Sequence, residues 1–191
     1  MRKVFLDCGS RRCDVTREYL AQGFTDWEYY LFEANPRLKS YHDQVINDYP
    51  QVEFNYYNKA VWIEDGETDF YFSRRGNSGS TIVKEKFSNK VDHDNPIKVE
   101  TIDFSKWVSK NMNKDDYILF KIDIEGAEYE VLNKMIDDGT LDYMDKIIVE
   151  FHNEKKMNLT QRHKDLHKKI NKYLKDKKNL ERVDKESVTY I

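Results

Sequence analysis

The chain has 191 residues, with 32 basic and 35 acidic side chains for a net charge of −3, so no general nucleic-acid affinity is implied. That length fits a single domain spanning residues 1–191 with a sizeable core, and 7 glycines and 3 prolines argue against a linker-rich chain. Cys8 and Cys13 are too few for a disulfide framework and have no nearby zinc partners, and no stretch approaches ~20 apolar residues, so a cytoplasmic location with reduced thiols and no membrane span is expected.

Val4-Phe5-Leu6 reads as a short strand that ends in Asp7-Cys8-Gly9-Ser10. A polar interval follows, and Val15, Tyr19 and Leu20 suggest a helix capped near Asp14. Strand, glycine turn and helix together make a cradle, because Gly9 admits close backbone approach and a helix start offers free N–H groups. Residues 27–32, WEYYLF, form a second aromatic strand ending at Glu33, and Asn35-Pro36 opens a helix with Asn as cap and Pro at its first position. Glu33 lies 26 residues after Asp7. In nucleotide-binding βαβ units an acid about 20 residues on, at the second strand's end, accepts hydrogen bonds from ribose hydroxyls, and Glu33 is read in that role. The competing reading is a surface or helix-start acid.

Residues 52–57 alternate as a third strand and lead into Asn58-Lys59-Ala60-Val61-Trp62. Glu64-Asp65-Gly66-Glu67 is read as a hairpin turn with residues 68–72 as its return strand. Residues 73–80, SRRGNSGS, are the most polar stretch, and a hairpin and loop insertion is expected over about 63–98. A short strand at 99–102 precedes a helix capped by Asp103 and carrying Phe104, Trp107 and Val108.

Residues 117–132, YILFKIDIEGAEYEVL, are the most informative stretch. An apolar run crosses Lys121, delivers acids at Asp123 and Glu125, and turns at Gly126 into a helix with Val131, Leu132, Met135 and Ile136 on one face. That order marks the carboxyl edge of a strand in an α/β sheet, where ligands bind in a crevice, although an acidic solvated exit turn looks the same in isolation. Residues 146–152 form a fifth main strand ending Glu150-Phe151-His152. Leu159, Leu166, Ile170, Tyr173 and Leu174 line a helix with a Lys-rich outer face, and residues 180–183 and 187–191 suggest a terminal antiparallel pair.

Asp7-x-Gly9, Glu33, Asp123-x-Glu125-Gly126 and Glu150-x-His152 thus stand at four separate strand ends. LDCGS, YYLFEANP, NKAVW, VETIDFSKWV, FKIDIEGAEYEVL and IIVEFH, in that order, resemble the FkbM family of S-adenosylmethionine-dependent methyltransferases, from about Phe5 to His152. The resemblance implies a Rossmann-like class I methyltransferase fold: a seven-stranded, mostly parallel sheet with an antiparallel last strand and helices on both faces. S-adenosyl-L-methionine would lie over the ends of the first strands, with Asp7, Gly9 and Ser10 at its methionine and ribose portion and Glu33 at the ribose hydroxyls. Asn58, Ala60 and Val61 would flank the adenine, and Asp123 and Glu125 would stand at the methyl-transfer end beside Glu150 and His152. The family's glycine loop carries a second glycine where this chain has Cys13, a small residue expected to keep the loop's shape.

The reaction implied is O-methylation of a small-molecule or glycan hydroxyl, a sugar hydroxyl first, with no nucleic-acid partner. The base is His152 or Asp123, with Glu125 and Glu150 in the same catalytic group. A divalent metal held by Asp123, Glu150 and His152 is permitted but not required, and none is assigned. Arg74, Arg75 and His93 of the 73–98 stretch are candidate acceptor contacts, and no appended lid is expected. Two other readings stay open: a cofactor-binding domain without turnover, and a nicotinamide-dependent oxidoreductase, the latter disfavoured because the loop has one glycine where a pyrophosphate site wants three.

Overall fold

The computed structural model describes residues 1–74, 76, 79–84, 86, 91–152, 161–176 and 181–184. Nine strands and five α-helices follow one another along the described chain: β1 Lys3–Cys8, α1 Asp14–Ala21, β2 Glu28–Phe32, α2 Lys39–Asp48, β3 Glu53–Tyr57, β4 Ala60–Trp62 and β5 Gly66–Phe70. They continue as β6 Ile97–Asp103, α3 Phe104–Asn111, β7 Tyr117–Ile122, α4 Glu128–Asp137, β8 Lys146–Val149, α5 Gln161–Asp176 and β9 Glu181–Asp184. The main sheet runs β3-β2-β1-β7-β8-β9 with every pair parallel. The order reverses direction between β1 and β7, so the crevice at the carboxyl ends of those two strands lies where an open α/β sheet offers a ligand site.

Strand alternation divides the core. Val4, Leu6 and Cys8 of β1, with Ile118, Phe120 and Ile122 of β7, pack under α3, α4 and α5 through Trp107, Leu132, Met135 and Ile170. Phe5 and Leu119 point the other way, onto the cluster that holds Leu20 of α1 and Val45 of α2. Both faces are covered, which is why these strands read as continuous apolar runs. Phe5, Phe120 and Ile122 are fully buried, each contributing roughly 1.5–3 kcal/mol of transfer free energy.

Two expectations change. The main sheet has six strands among the described residues, not seven: five carry the core, and β9 adds parallel to β8 because α5 bridges them as a βαβ crossover. The antiparallel last strand expected at 187–191 lies outside the described residues, as does Leu159. The hairpin expected around Glu64–Glu67 is not formed either. Instead β6 lies between β4 and β5, parallel to the first and antiparallel to the second, in a separate three-stranded sheet. Thr101 supplies the reason: it registers with both Ala60 and Gly66, and its hydroxyl donates to the Glu64 carbonyl at 2.9 Å, holding the connection open around β6.

Other starts and stops follow the sequence closely. The Asn35 side chain accepts from Arg37 N at 3.0 Å, and a short 3-10 turn, Pro36–Leu38, leads into α2. Asp103 caps α3 by accepting from Lys106 N at 3.1 Å. Asp14 is a first-turn acid in α1, whose N-cap is Cys13.

Candidate active site

The cleft opens at the carboxyl ends of β1, β2 and β7 and is bounded on its far side by β4 and by the segment around residues 79–82. On the β2, β4 and β5 side its lining includes an apolar patch, Phe32, Ala34, Ala60, Val61 and Phe70, beside Lys59. The other side holds Gly9, Asp123 and Glu125, with Thr81 beside them.

Gly9 adopts φ +79°, and a Cβ there would stand 1.9 Å from the Asp123 carbonyl oxygen. Its lack of a side chain therefore lets the β1 and β7 exits touch, bringing Asp123 to the cleft. Gly9 N and Ser10 N both donate to the Phe32 carbonyl, at 2.9 and 3.1 Å, which ties the same turn to β2. Cys13 also lies in the left-handed region, at φ 61° and ψ 31°, a conformation that favours glycine and costs a cysteine about 1–2 kcal/mol. Its fully buried side chain packs in the cluster shared with α1 and α2, so a small apolar side chain stands where a glycine would leave space. Cys8 and Cys13 are both free, and burial pushes both thiols up.

Glu33, at the exit of β2, accepts Arg11 N at 2.8 Å on one carboxylate oxygen and Asn35 N at 2.7 Å on the other. Burial raises its carboxyl above the ordinary range, against the pull of these two amides. Asn58 does not line the cleft: its side-chain amide donates to the Glu33 carbonyl at 2.7 Å and so steadies that turn from behind. Ser10 likewise turns away, its hydroxyl 2.7 Å from His42 Nε2.

Asp7 is fully buried beneath the loop rather than in the cleft. Its position in β1 puts it on the α1 face, where it accepts from the Thr16 hydroxyl at 2.8 Å and pairs with Lys121, its partner across the strand register, at 2.9 Å. Lys121 Nζ in turn donates to the Gly9 carbonyl at 2.8 Å, so the pair holds the glycine turn from below.

The β7 and β8 exits form one charged cluster. His152, 2% exposed, places Nδ1 at 2.9 Å from Glu128 and Nε2 at 3.0 Å from Glu125, with Glu150 and Asp123 at 3.9 and 4.0 Å from the same Nε2. Burial lowers the affinity of His152 for its proton, but the hydrogen bonds and charges of Glu125 and Glu128 outweigh that and push its pKa up to about 10. It is an imidazolium at neutral pH, with both nitrogens donating. Burial raises the Glu125 carboxyl, whereas His152 and Lys86 lower it further, to about 2. Asp123, Glu128 and His152 offer ligand atoms within 4.8 Å of one another, a spacing a metal ion could bridge. Glu128, however, already accepts Ile124 N and Gly126 N, each at 2.9 Å, as well as the imidazolium.

Four of the residues read from sequence as lining a cofactor, Gly9, Glu33, Ala60 and Val61, share the cleft with Asp123 and Glu125, whereas His152 and Glu150 stand behind its acidic end. Sequence reasoning missed Arg11, Asn35, Glu128 and Lys86. Lys86 pairs with Glu125 and donates to the Gly79 carbonyl at 3.2 Å, while the Thr81 hydroxyl donates to the Glu125 carbonyl at 2.8 Å. Glu125 itself holds φ 58°. Asn35 was legible only as a helix cap, and Glu128 left a signal as an acid at the start of a helix, where it can accept the free amides of the preceding turn. Arg74 turns to Asp92 and Asp94, His93 Nε2 lies 3.3 Å from the Lys86 carbonyl, and Arg75 lies outside the described residues.

The family model described as Methyltransferase FkbM domain matches residues 7–181, most of the chain. The chain belongs to the FkbM methyltransferase family. The glycine turn, the Glu33 exit and the acidic β7 and β8 exits of this FkbM methyltransferase all fall within the matched residues. No curated protein and no solved structure matches it. Among the described residues no helix is long and apolar enough to cross a membrane.

Proposed function

We propose that this protein is an S-adenosyl-L-methionine-dependent O-methyltransferase that acts on a hydroxyl of a sugar, a glycan or another small molecule in the cytoplasm. The observation that carries the reading is one cleft with an amide-clamped acid, Glu33, toward its apolar end and an acid, Asp123, at its polar end. The donor set fits the cofactor. Glu33 retains lone pairs that would serve a ribose diol, Ala60 and Val61 would give an apolar wall for adenine, and Gly9, Asp123 and Glu125 would hold the methionine and methyl portion.

When bound, the cofactor supplies a methyl group already activated on a sulfonium. The chain's own tasks are alignment and proton removal. His152 donates through both nitrogens and so has no lone pair to offer, which leaves Asp123 as the base. As the hydroxyl oxygen bonds to carbon its proton becomes strongly acidic, so a carboxylate suffices to accept it. Glu125, Glu150 and the imidazolium set the charge around that carboxylate, and Lys86 and Thr81 are each tied to Glu125 in the same turn.

Isothermal titration of the wild type with S-adenosylmethionine is expected to show one site. Glu33→Ala is expected to weaken it at least ten-fold, through lost contact to the diol and loosening of the Arg11 and Asn35 amides. A wild type that binds neither S-adenosylmethionine nor S-adenosylhomocysteine would remove this function. Release of S-adenosylhomocysteine with a glycan panel separates an enzyme from a binding domain without turnover.

A further inference from the structure

The turn that follows β1 is strained, and side chains from both neighbouring strands and from α2 hold it. Gly9, Arg11 and Cys13 lie in the left-handed region, at φ 79°, 52° and 61°, and two of them are not glycine. Non-glycine residues keep that conformation only where their surroundings impose it. From β7, Lys121 donates to the Gly9 carbonyl at 2.8 Å, and at the exit of β2 Glu33 accepts Arg11 N at 2.8 Å. The hold from α2 is His42. It is fully buried and places Nε2 2.7 Å from the hydroxyl of Ser10, which is itself 3% exposed.

The partners of His42 fix its tautomer. Nδ1 lies 3.1 Å from the Leu38 carbonyl, which can only accept, so Nδ1 carries the proton and Nε2 keeps a lone pair for the Ser10 hydroxyl to donate to. The Phe32 carbonyl, at 3.3 Å, is a longer second acceptor for that hydroxyl. Burial pushes the pKa of His42 down, so the ring is neutral at neutral pH. The Tyr56 ring stacks on the imidazole, centroids 4.2 Å apart, and fixes its plane. Neither Ser10 nor His42 lines the cleft.

Resting on the cofactor reading above, we infer that His42 is a positioning residue for cofactor binding: through the Ser10 hydroxyl it anchors residues 9–11 to α2 in the conformation that brings Gly9 and the amide-clamped Glu33 to the cleft. It touches no ligand and acts through Ser10. Without the anchor the strained turn relaxes. The free energy released on relaxing must be returned when the ligand binds, so affinity falls even where the fold survives.

The test is isothermal titration of the full chain with S-adenosylmethionine and S-adenosylhomocysteine, at a temperature where urea denaturation shows each variant to be folded. Ser10→Ala and His42→Leu, which remove the donor and the acceptor, are each expected to weaken both ligands at least about five-fold. His42→Gln, whose amide oxygen can accept from Ser10, is expected to stay within about two-fold of the wild type. If His42→Leu does not fold, Ser10→Ala carries the comparison. Ser10→Ala binding as tightly as the wild type overturns the inference, as does a His42→Gln that binds no better than Ser10→Ala. Nitrogen-15 NMR, with the His42 signals assigned by their loss in His42→Gln, is expected to show a neutral, Nδ1-protonated ring at neutral pH; an Nε2-protonated ring overturns the inference as well. A wild type that binds neither ligand removes the cofactor reading itself, an outcome distinct from binding that the variants leave unchanged.

Discussion

Glu128 is the residue whose loss the structure weighs most clearly. Its side chain is fully buried, and it accepts three hydrogen bonds at 2.9 Å, from Ile124 N, Gly126 N and His152 Nδ1. Glu128→Ala leaves two amides of the β7 exit and one face of a buried imidazolium without their acceptor. Each orphaned donor costs about 1–3 kcal/mol, and breaking a buried ion pair costs about 3–5 kcal/mol; since the terms overlap, the expected loss is about 3–5 kcal/mol. For a chain of this size that lowers the melting temperature by about 6–20 °C. Urea denaturation followed by far-UV circular dichroism measures it, with the exposed Glu53→Ala, expected within about 0.5 kcal/mol of wild type, as the control. Glu128→Gln is expected to fall between, because its amide oxygen can still accept while its NH₂ group faces a donor. A loss below about 1 kcal/mol in Glu128→Ala would show that these three bonds do not organise the turn.

Three further outcomes follow from the same geometry. Gly9→Ala forces a Cβ onto the Asp123 carbonyl at a positive φ and is expected to destabilise by at least about 3 kcal/mol; a variant as stable as wild type in urea would contradict the close approach of the two strand exits. Lys121→Met leaves Asp7 buried without its cation and is expected to lose about 3–5 kcal/mol, much of it recovered in the double variant Asp7→Asn with Lys121→Met. A double-mutant cycle with no coupling would deny the pair. Stability should also depend on pH. His152 has a folded pKa raised from 6.5 to about 10, so its contribution is full below pH 6.5 and disappears as pH rises toward 10. Glu125, lowered from 4.5 to about 2, contributes above pH 4.5 and loses that contribution as pH falls toward 2. Urea midpoints should therefore fall between pH 7 and 10 and again below pH 4.5, with the alkaline fall reduced in His152→Asn; an alkaline limb unchanged in that variant would assign it to other groups.

The strands, their order along the chain and the polar chemistry at their ends were legible without coordinates, because side-chain period and turn residues are local properties. The capped starts at Asn35-Pro36 and Asp103, the glycine turn at Gly9 and the acids at Glu33 and Asp123 belong to that class. Asp7 shows where local reading stopped short. It shares the parity of Phe5 and so faces α1, and its pairing with Lys121 depends on which strand lies beside β1. The place of β6 between β4 and β5 was hidden in the same way, since pairing register is decided across the sheet and not along the chain.

The sequence by itself determined an α/β chain with acids and a glycine at the strand exits, and it carried the motifs of a methyltransferase family. Tertiary structure alone decided which acids face the cleft and which lie beneath it. It also decided that His152 is enclosed by carboxylates from two strand exits, which hold its proton more tightly. Glu125 meets a lysine 39 residues away, and a charge state of that kind is set by what surrounds a group in space, which no local pattern records.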